Sequence, residues 1–486
     1  MKNIFQLILL LIFINISGCA VNPATGGRDL VLMSEQSEIA LGRKTHKEIL
    51  QQYSVYNNPE LQAYVTGIGE ELAKNSHRNN LIYRFTVLDS KDVNAFALPG
   101  GYIYITRGLL AYLNSEAELA AVLGHEIGHV TARHSVRQYS ATQLTNVGVT
   151  LAAIFIPGMN QVGSQLMQVL GTVLLRGYGR EYELEADKLG AEYVARTNYG
   201  AESMLDVIRV LKNQEIFEKQ RAKSEGREPR IYHGLFSTHP DNDTRLQEII
   251  GYAEKYQNKT GTKKGEEVFL SKIDGLIFGD GPQQGITRGN NFYHEQLDIS
   301  IAFPEKWNVT NLPDKLIITA PQGVATQQIL VEDINKRISP REFMIQRLGL
   351  KSLRNDKPLR INGLDAHTGI ATINTGSGKR AARFTVIYFN QQAYILVGVS
   401  KDPKAMSHYD AAFMETARSF HQMTQNERLL ATPLRIKIVN STSETNFKSL
   451  AQQSPLEKYQ EEKLRLLNGL YPQGKANSKT LLKIIN

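Results

Sequence analysis

Apolar and polar positions divide the chain into a helical first half and a strand-rich second half. Across residues 34–255, apolar residues recur at helical spacing. Residues 291–425 alternate short β-prone runs with stretches of helical pattern at 341–353 and 403–420. Residues 433–486 have the pattern of strand, helix, helix, strand. The chain is therefore predicted to be α+β, with a mainly helical domain, an α/β domain and a small βααβ module.

Two segments lie outside these domains. Residues 256–290 are rich in Gly, Lys and Thr, which is typical of a linker with a short structured piece in it. Residues 1–18 combine an early lysine with an apolar run too short for a comfortable transmembrane helix, which indicates a signal peptide. The apolar stretch at 147–158 is also too short to span a membrane.

Composition and charge exclude some classes of function. With 42% hydrophobic and 21% charged residues, the chain has the composition of a globular protein. The formal net charge is +8, and no block of lysine and arginine stands out, so binding to nucleic acid is not expected. Cys19 is the only cysteine, so an exported chain has no intrachain disulfide to form.

The position of this cysteine suggests a membrane anchor. Cys19 ends the stretch ISGC, directly after the predicted signal peptide. The stretch resembles a bacterial lipobox, in which the cysteine is lipidated and becomes the new N-terminus. Residues 19–33 would then be a lipidated tether. The second residue of the mature protein would be Ala20 rather than aspartate. By resemblance to bacterial lipoproteins, this favours the outer membrane over retention at the inner membrane. The alternative is an ordinary cleaved signal in which Cys19 is incidental.

The stretch LAAVLGHEIGHVTARHSV, residues 119–136, carries the strongest chemical signal. An S-x-x-E pattern at Ser115 predicts that a helix begins there. His125 and His129 are four residues apart, so both imidazoles lie on one helix face and can bind one zinc ion. Glu126 lies near the same rim and can act as general base on a zinc-bound water. The alternative, a solvated helix with incidental histidines, conflicts with the small and apolar residues around the motif.

A catalytic zinc needs a third protein ligand and an open fourth position. The segment GREYELEADKLGAEYVAR offers three glutamates. Glu183 shares a helix face with small and apolar residues, whereas Glu181 and Glu185 share a charged, solvated face. Glu183 is therefore the predicted third ligand. Asp187, one turn later, is placed to hydrogen-bond a ligand imidazole.

HEIGH followed by ELEAD resembles the gluzincin metallopeptidases of the HtpX, BepA and CAAX prenyl protease type. The segments NAFALPGGYIYITRGLL (94–110) and STHPDNDTR (237–245) are similar to the family's segments before and after the zinc helices. The resemblance covers residues 22–255 and implies a zincin-like domain with a small edge sheet, one zinc ion per chain and peptide hydrolysis. The transmembrane helices of the HtpX and prenyl protease members are not predicted here. The helical tetratricopeptide periodicity of the BepA kind is not seen either.

A Pro-Gly-Gly turn between two β-prone runs predicts a hairpin in residues 94–110. Its first strand, exposed at the sheet edge beside the zinc, could bind an extended peptide through main-chain hydrogen bonds. The predicted substrate-binding residues are Asn94, Ala95, Phe96, Ala97, Gly100 and Gly101. The alternative is a purely structural hairpin.

His239 lies on a predicted loop, because the proline that follows it disfavours helix. In the family-like context this loop lies beside the zinc. His239 or Arg245 could donate a hydrogen bond to the oxyanion that forms during attack. Alternatively, His239 could occupy the open zinc position and hold the enzyme latent. A surface histidine without either role is the third possibility.

The C-terminal half suggests binding modules. DISIAFPEKWNV looks like the start of the PsbP-like fold of photosystem II, and residues 433–486 look like a LysM peptidoglycan-binding unit or a packing module without ligand.

The predicted function is a zinc-dependent endopeptidase, lipid-anchored at the outer membrane, that faces the periplasm and cleaves unfolded or misassembled envelope proteins. The alternative is a cell-wall-tethered binding or chaperone-like protein with a regulatory or degenerate metal site.

Overall fold

The computed structural model describes residues 19–24, 26–31, 33–145, 178–225, 229, 245, 248, 251, 264–312, 314–334, 336–350, 352–375 and 378–486. The chain forms two compact units, Met1–Phe278 with Arg435–Asn486 and Gly279–Leu434. The predicted signal peptide and the apolar stretch at 147–158 lie outside the described residues. None of the helices in the described ranges combines the length and hydropathy needed to cross a bilayer.

The described part of the first unit starts with a short strand pair and is then mainly helical. Its described elements up to residue 278 are β1 (Cys19–Val21), β2 (Arg28–Leu30), α1 (Glu35–Gln52), α2 (Pro59–Lys74), β3 (Arg84–Leu88), β4 (Ala95–Leu98), β5 (Tyr102–Thr106), α3 (Arg107–Tyr112), α4 (Glu116–Thr131), α5 (His134–Thr145), α6 (Arg180–Arg196), α7 (Ser203–Ser224), α8 (Glu266–Ile273) and β6 (Ile277–Phe278). The segment predicted as a linker, residues 256–290, thus contains α8, β6 and a further strand at Ile286–Arg288.

Helix α4 is the centre of this unit. It begins after Ser115, as the S-x-x-E pattern predicts, and the Ser115 side chain accepts a hydrogen bond from the amide of Glu118. Every residue of α4 is buried. The helix packs against α2, α6 and α7. Burial on all sides explains why its sequence is apolar or small apart from the residues of the HEIGH motif and its first turn.

The predicted hairpin is present as β4 and β5, in a sheet whose strand order is β3-β5-β4. Gly100 and Gly101 form the turn at φ of +78° and +88°, which glycine adopts without strain. Strand β4 lies at the sheet edge, but the expectation that it is exposed is wrong, because all four of its residues are buried. Phe96 and Leu98 join a core cluster, and the strand packs against α1 and α4.

The second unit is rich in strands. Its described elements are β7 (Ile286–Arg288), β8 (Asn291–His294), β9 (Ile299–Ala302), β10 (Asn308–Leu312), β11 (Lys315–Thr319), a 3₁₀ turn (Pro321–Gly323), β12 (Ala325–Asp333), α9 (Pro340–Gln346), β13 (Arg354–Ile361), β14 (Leu364–Thr375), β15 (Gly378–Phe389), β16 (Gln392–Ser400), a 3₁₀ turn (Pro403–Ala405), α10 (Met406–Ser419), β17 (His421–Gln422) and α11 (Gln425–Leu430).

These strands form two antiparallel sheets, of order β10-β11-β12-β16-β15-β14-β13 and β17-β9-β8-β7. Side chains from both sheets and from α10 share one core cluster. Because every strand pair in these two sheets is antiparallel, the prediction of an α/β domain for residues 291–425 is wrong and this unit is α+β. The predicted α+β class of the chain as a whole is confirmed. Helix α9 is shorter than the predicted 341–353, because Gly349 at φ +67° lets the chain turn back after Gln346.

The last segment returns to the first unit. Its elements are β18 (Leu434–Asn440), α12 (Phe447–Gln453), α13 (Gln460–Leu467) and β19 (Leu481–Ile485), in the predicted order of strand, helix, helix, strand. Strand β18 pairs with β19 and with β6. Leu466 and Tyr471 pack against Phe217 of α7. The module is therefore integrated with the helical region, and its likeness to LysM stays a prediction.

Candidate active site

The site lies where α4 and α6 approach each other very closely. A Cβ added at Gly190 would lie 2.9 Å from the backbone nitrogen of His125, and one added at Gly128 would lie 2.9 Å from the backbone oxygen of Ala186. Real Cβ atoms do not approach backbone atoms this closely, so glycine is needed at both positions. The small residues of the two helices thus bring the HEIGH motif and the ELEAD segment into contact.

His125, His129 and Glu183 converge at this crossing, as the sequence predicts. Their potential ligand atoms all lie within 4.8 Å of one another. The His125 Nε2 and His129 Nε2 atoms are 3.0 Å apart, and each lies 3.5 Å from an oxygen of Glu183. Two ligands bound tetrahedrally to zinc at 2.0–2.1 Å would be about 3.4 Å apart. The donor atoms, 3.0–3.5 Å apart, are therefore close to the spacing that a zinc ion requires.

Both imidazoles are held through their Nδ1 atoms. His125 Nδ1 lies 2.8 Å from Asp187 Oδ1, which is the contact predicted for Asp187. His129 Nδ1 lies 2.8 Å from His134 Nδ1. A histidine whose Nδ1–H donates to a neighbour presents the lone pair of Nε2, which is the form that binds a metal. Two imidazoles and a carboxylate, all buried, are a donor set that fits zinc.

The helical-face argument correctly separates Glu183 from Glu181. Glu183 and Asp187 are buried, and Glu181 is exposed. Glu185 departs from the expectation of a solvated face, because its side chain is only 18% exposed and contacts His134 and Arg137. Burial alone would raise the pKa of Glu185, but the hydrogen bonds from His134 and Arg137 outweigh it and lower that pKa to about 2.

Sequence reasoning missed His134 and the aromatic residues around it. His134 is fully buried, and burial lowers its pKa. Tyr178 stacks on His129 at 4.2 Å between ring centroids, and Tyr182 stacks on His134 at 4.6 Å. The sequence did contain a signal for His134, because it ends HVTARH (129–134) and is the third histidine within ten residues of a chain that has 11 histidines among 486 residues.

Arg245 lies at the site but is engaged with its carboxylates. Its Nε donates to Asp187 Oδ2 at 2.6 Å, its Nη2 donates to Asp187 Oδ1 at 2.7 Å, and its Nη1 lies 3.3 Å from Glu183. Burial would raise the pKa of Asp187, but Arg245 and His125 lower it. The guanidinium thus keeps Asp187 ionised and oriented toward His125. Its predicted role as an oxyanion donor stays a prediction.

Glu126 and Arg245 also line a small cavity together with apolar side chains. The described residues that line it are Ala121, Val122, His125, Glu126, Met204, Val207, Ile208, Leu211 and Arg245. The candidate base thus shares this cavity with the ligand His125 and with apolar side chains of α7.

The remaining predicted site residues are His239, the hairpin residues and Cys19. His239 lies outside the described residues. The six residues of the hairpin, from Asn94 to Gly101, lie in and around β4 and its turn, where Ala97 lines a second, smaller cavity that His129 also lines. Cys19 begins β1, and its predicted lipidation stays a prediction.

Comparison with known proteins agrees with this geometry. Residues 59–253 match peptidase family M48. The chain is 25% identical over 262 residues to the "Beta-barrel assembly-enhancing protease" of Escherichia coli K12, which is 52% of this chain and 51% of that protein. It is 26% identical over 243 residues to the "Mitochondrial metalloendopeptidase OMA1" of Schizosaccharomyces pombe, which is 49% of this chain and 68% of that protein. The chain spans about half the length of the first curated relatives it matches.

A solved structure of PsbP from the cyanobacterium Synechocystis aligns with 30% of this chain and 98% of its own, at 12% identity and a TM-score of 0.23. This TM-score is too low to assign a fold, so the PsbP-like prediction is neither confirmed nor contradicted. The helical region is different, because a family match and a converged ligand set coincide there. Residues 59–253, which contain the converged ligand set, are therefore similar to the metallopeptidases of peptidase family M48.

Proposed function

We propose that this protein is a zinc-dependent endopeptidase that hydrolyses peptide bonds of unfolded or misassembled envelope proteins. The observation that carries the proposal is the convergence of His125, His129 and Glu183, with Glu126 on the cavity beside them. A donor set of two imidazoles and one carboxylate leaves one position of a tetrahedral zinc ion open, which is typical of catalytic rather than structural sites.

The chain's own residues divide the chemistry among them. When bound, zinc would supply Lewis acidity to the scissile carbonyl and to the attacking water. Glu126 takes the proton from that water and passes it to the leaving amine nitrogen. Asp187 and Arg245 keep His125 in its orientation. Arg245 could also reach a developing oxyanion through a further N–H of its guanidinium, since each terminal nitrogen carries two hydrogens.

The cavity supports a polypeptide substrate with apolar side chains. The cavity is lined by His125 and Glu126 and by four apolar residues of α7, Met204, Val207, Ile208 and Leu211. An apolar side chain next to the scissile bond would bury surface against these four residues. Unfolded chains expose such side chains, whereas folded proteins bury most of them. Pairing of substrate with β4 would require the residues that cover this strand to move.

The compartment is proposed from the N-terminal sequence and from the relatives. ISGC at residues 16–19 places the only cysteine after an apolar signal-like run, which supports a lipid anchor on Cys19 and a protein that faces the periplasm. Several bacterial relatives are named beta-barrel assembly-enhancing proteases, which supports a role in the envelope. Binding of peptidoglycan by residues 433–486 is part of the same proposal.

A test of the activity separates the base from the ligands. Glu126→Gln should retain zinc and lower the rate of casein or peptide hydrolysis by about 10²–10⁴-fold or more, because general-base catalysis is lost. Bound zinc is measured by elemental analysis of the same preparations. Glu181→Gln is the matched control, because it makes the same chemical change on an exposed side chain of α6.

Near-normal turnover by zinc-loaded Glu126→Gln would contradict the mechanism. A wild-type protein that binds zinc and cleaves no polypeptide would instead favour the alternative of a binding or chaperone-like protein.

A second test addresses the anchor. Cys19→Ser should abolish labelling with radioactive fatty acid and move the protein from the outer-membrane fraction to the soluble periplasmic fraction, because a serine cannot be lipidated at this motif. Fractionation and labelling of the two proteins in parallel provide the measurement. Unchanged association with the membrane would show that something other than Cys19 holds the protein there.

A further inference from the structure

A chain of polar side chains leads away from the second ligand histidine. His129 Nδ1 lies 2.8 Å from His134 Nδ1, and His134 Nε2 lies 3.2 Å from Glu185 Oε2. Arg137 Nη1 donates to the same Glu185 oxygen at 2.7 Å. Asn22 Nδ2 donates to the other Glu185 oxygen at 3.3 Å. The route connects the ligand His129 to α6 and to the segment that follows β1.

This route parallels the one behind the first ligand histidine. His125 contacts Asp187, whose carboxylate is held by Arg245. His129 also leads to a carboxylate held by an arginine, Glu185 with Arg137, but an imidazole stands between them. Both hydrogen-bonded routes thus end at a carboxylate that is paired with an arginine. Because an ionised carboxylate can only accept, this end point fixes the direction of the hydrogen bonds along each route.

The hydrogens can be assigned from this end point. The Glu185 carboxylate only accepts, so His134 Nε2 carries the hydrogen and donates it. The ring of neutral His134 then has a lone pair at Nδ1, and His129 Nδ1–H donates to it. His129 is left with a lone pair at Nε2, which is the atom that faces Glu183 and His125. The opposite assignment would place a hydrogen on Nε2 and prevent metal binding.

We propose that His134, fixed by Glu185, is a positioning residue that holds the ligand His129 in its metal-binding tautomer and orientation. The proposal rests on the zinc site of the proposed function. The rings are also held sterically, because Tyr178 stacks on His129 and Tyr182 stacks on His134 at interplanar angles of 18° and 22°. Partners behind a metal ligand typically change metal affinity or activity by about 10–100-fold when they are removed.

Zinc affinity of the full-length protein, measured by competition with a chromogenic chelator, tests the proposal without any substrate. His134→Leu removes the acceptor and should weaken zinc binding by about 10–100-fold. His134→Asn places Oδ1 where Nδ1 stood, so it should recover most of the affinity that His134→Leu loses. Glu185→Gln should weaken binding by about tenfold, whereas Glu181→Gln on the same helix should bind zinc as the wild type does.

Cobalt substitution adds a spectroscopic readout. Because the visible absorption of bound Co²⁺ depends on ligand geometry, the band should shift in His134→Leu and return toward the wild-type position in His134→Asn. A purely structural role would make the two variants equally weak, and that result would overturn the proposal. Wild-type affinity in folded His134→Leu would overturn it as well.

A second pair of variants tests the proposal if His134→Leu does not fold. If His134→Leu does not fold by circular dichroism, the comparison of Glu185→Gln with Glu181→Gln decides the question, and equal zinc affinities would overturn the proposal. Failure of the proposed function would look different, because a protein without hydrolytic activity can still show the graded zinc affinities expected here.

Discussion

The two ends of α4 bury polar side chains, and they satisfy them in different ways. In its first turn, Glu116 accepts hydrogen bonds from the hydroxyls of Tyr64 and Tyr199, each at 2.7 Å. At its other end, His125 Nε2 and His129 Nε2 are 3.0 Å apart, with Glu183 oxygens beside both. At the first end, hydroxyl donors meet a carboxylate acceptor. At the second end, two imidazole nitrogens and a carboxylate, all potential acceptors, lie next to one another.

This difference separates a structural polar cluster from a candidate metal site. With the hydrogens assigned as proposed above, both ligand imidazoles donate through Nδ1–H, and their Nε2 atoms, 3.0 Å apart, face each other with lone pairs. Lone pairs and a carboxylate at this spacing repel one another unless a cation lies between them. Burial alone therefore does not identify the site, since Glu116 is also buried. The balance of donors and acceptors does.

The largest effect is expected from removing an acceptor at the metal end. Glu183→Ala should lower zinc affinity by more than about 100-fold, because a ligand is lost rather than a residue behind one. Elemental analysis after dialysis against a weak chelator measures the loss. Glu181→Ala, on the exposed face of α6, is the control. Equal zinc content in the two variants would mean that the acceptors converge here for a reason other than metal binding.

A large effect of another kind is expected at the first end. Lys483 of β19 is buried and donates to the carbonyl oxygens of Ala111 and Leu113, at 2.8 and 2.6 Å. Burial lowers the pKa of Lys483 to about 7 and raises that of neighbouring Glu118 to about 7, so the two groups share a cost of desolvation. Lys483→Met keeps the apolar stem but removes the donor.

This variant should lower the free energy of unfolding by about 3 kcal/mol, because two buried carbonyls lose their hydrogen-bond donor and the buried Glu118 loses a nearby positive charge. Urea denaturation in the presence of a chelator measures it, since bound metal would otherwise stabilise the folded state. Zinc affinity of the folded variant should match the wild type. A loss of zinc affinity would show that the two ends of α4 are coupled, and the contrast between them would fail.

Much of the metal end could be predicted from sequence because its information is local. His125, His129 and Glu126 share one helix, and the face that carries Glu183 follows from the periodicity of α6. His134 could not be placed in this way. On a continuous helix, five residues turn the chain by about 140° away from His129. Arg133 at φ +56° breaks the helix, and His134 turns back toward the ligand.

The other end and the hairpin depend on contacts that no local pattern contains. Lys483 reaches Ala111 across 372 positions of sequence, so nothing near either residue signals the contact. The edge position of β4 follows from its hairpin, but its burial depends on how α1 and α4 pack over it. Helix starts and ligand faces are local features, whereas exposure and long-range docking are not.

The smallest effect is expected at the outer edge of the polar route behind His129. Asn22 donates to Glu185 at 3.3 Å, and its own Oδ1 accepts from the Ala24 amide at 2.9 Å. This single long hydrogen bond is separated from the ligand His129 by His134 and Glu185, so it contributes little to the position of the ligand. Asn22→Ala should therefore change zinc affinity by less than about threefold. Asn22→Asp should weaken binding more, because a second carboxylate beside Glu185 competes for Arg137 and His134. Chelator competition on the two variants measures both changes. Asn22→Asp binding more tightly than Asn22→Ala would show that Glu185 is not the end point of the route.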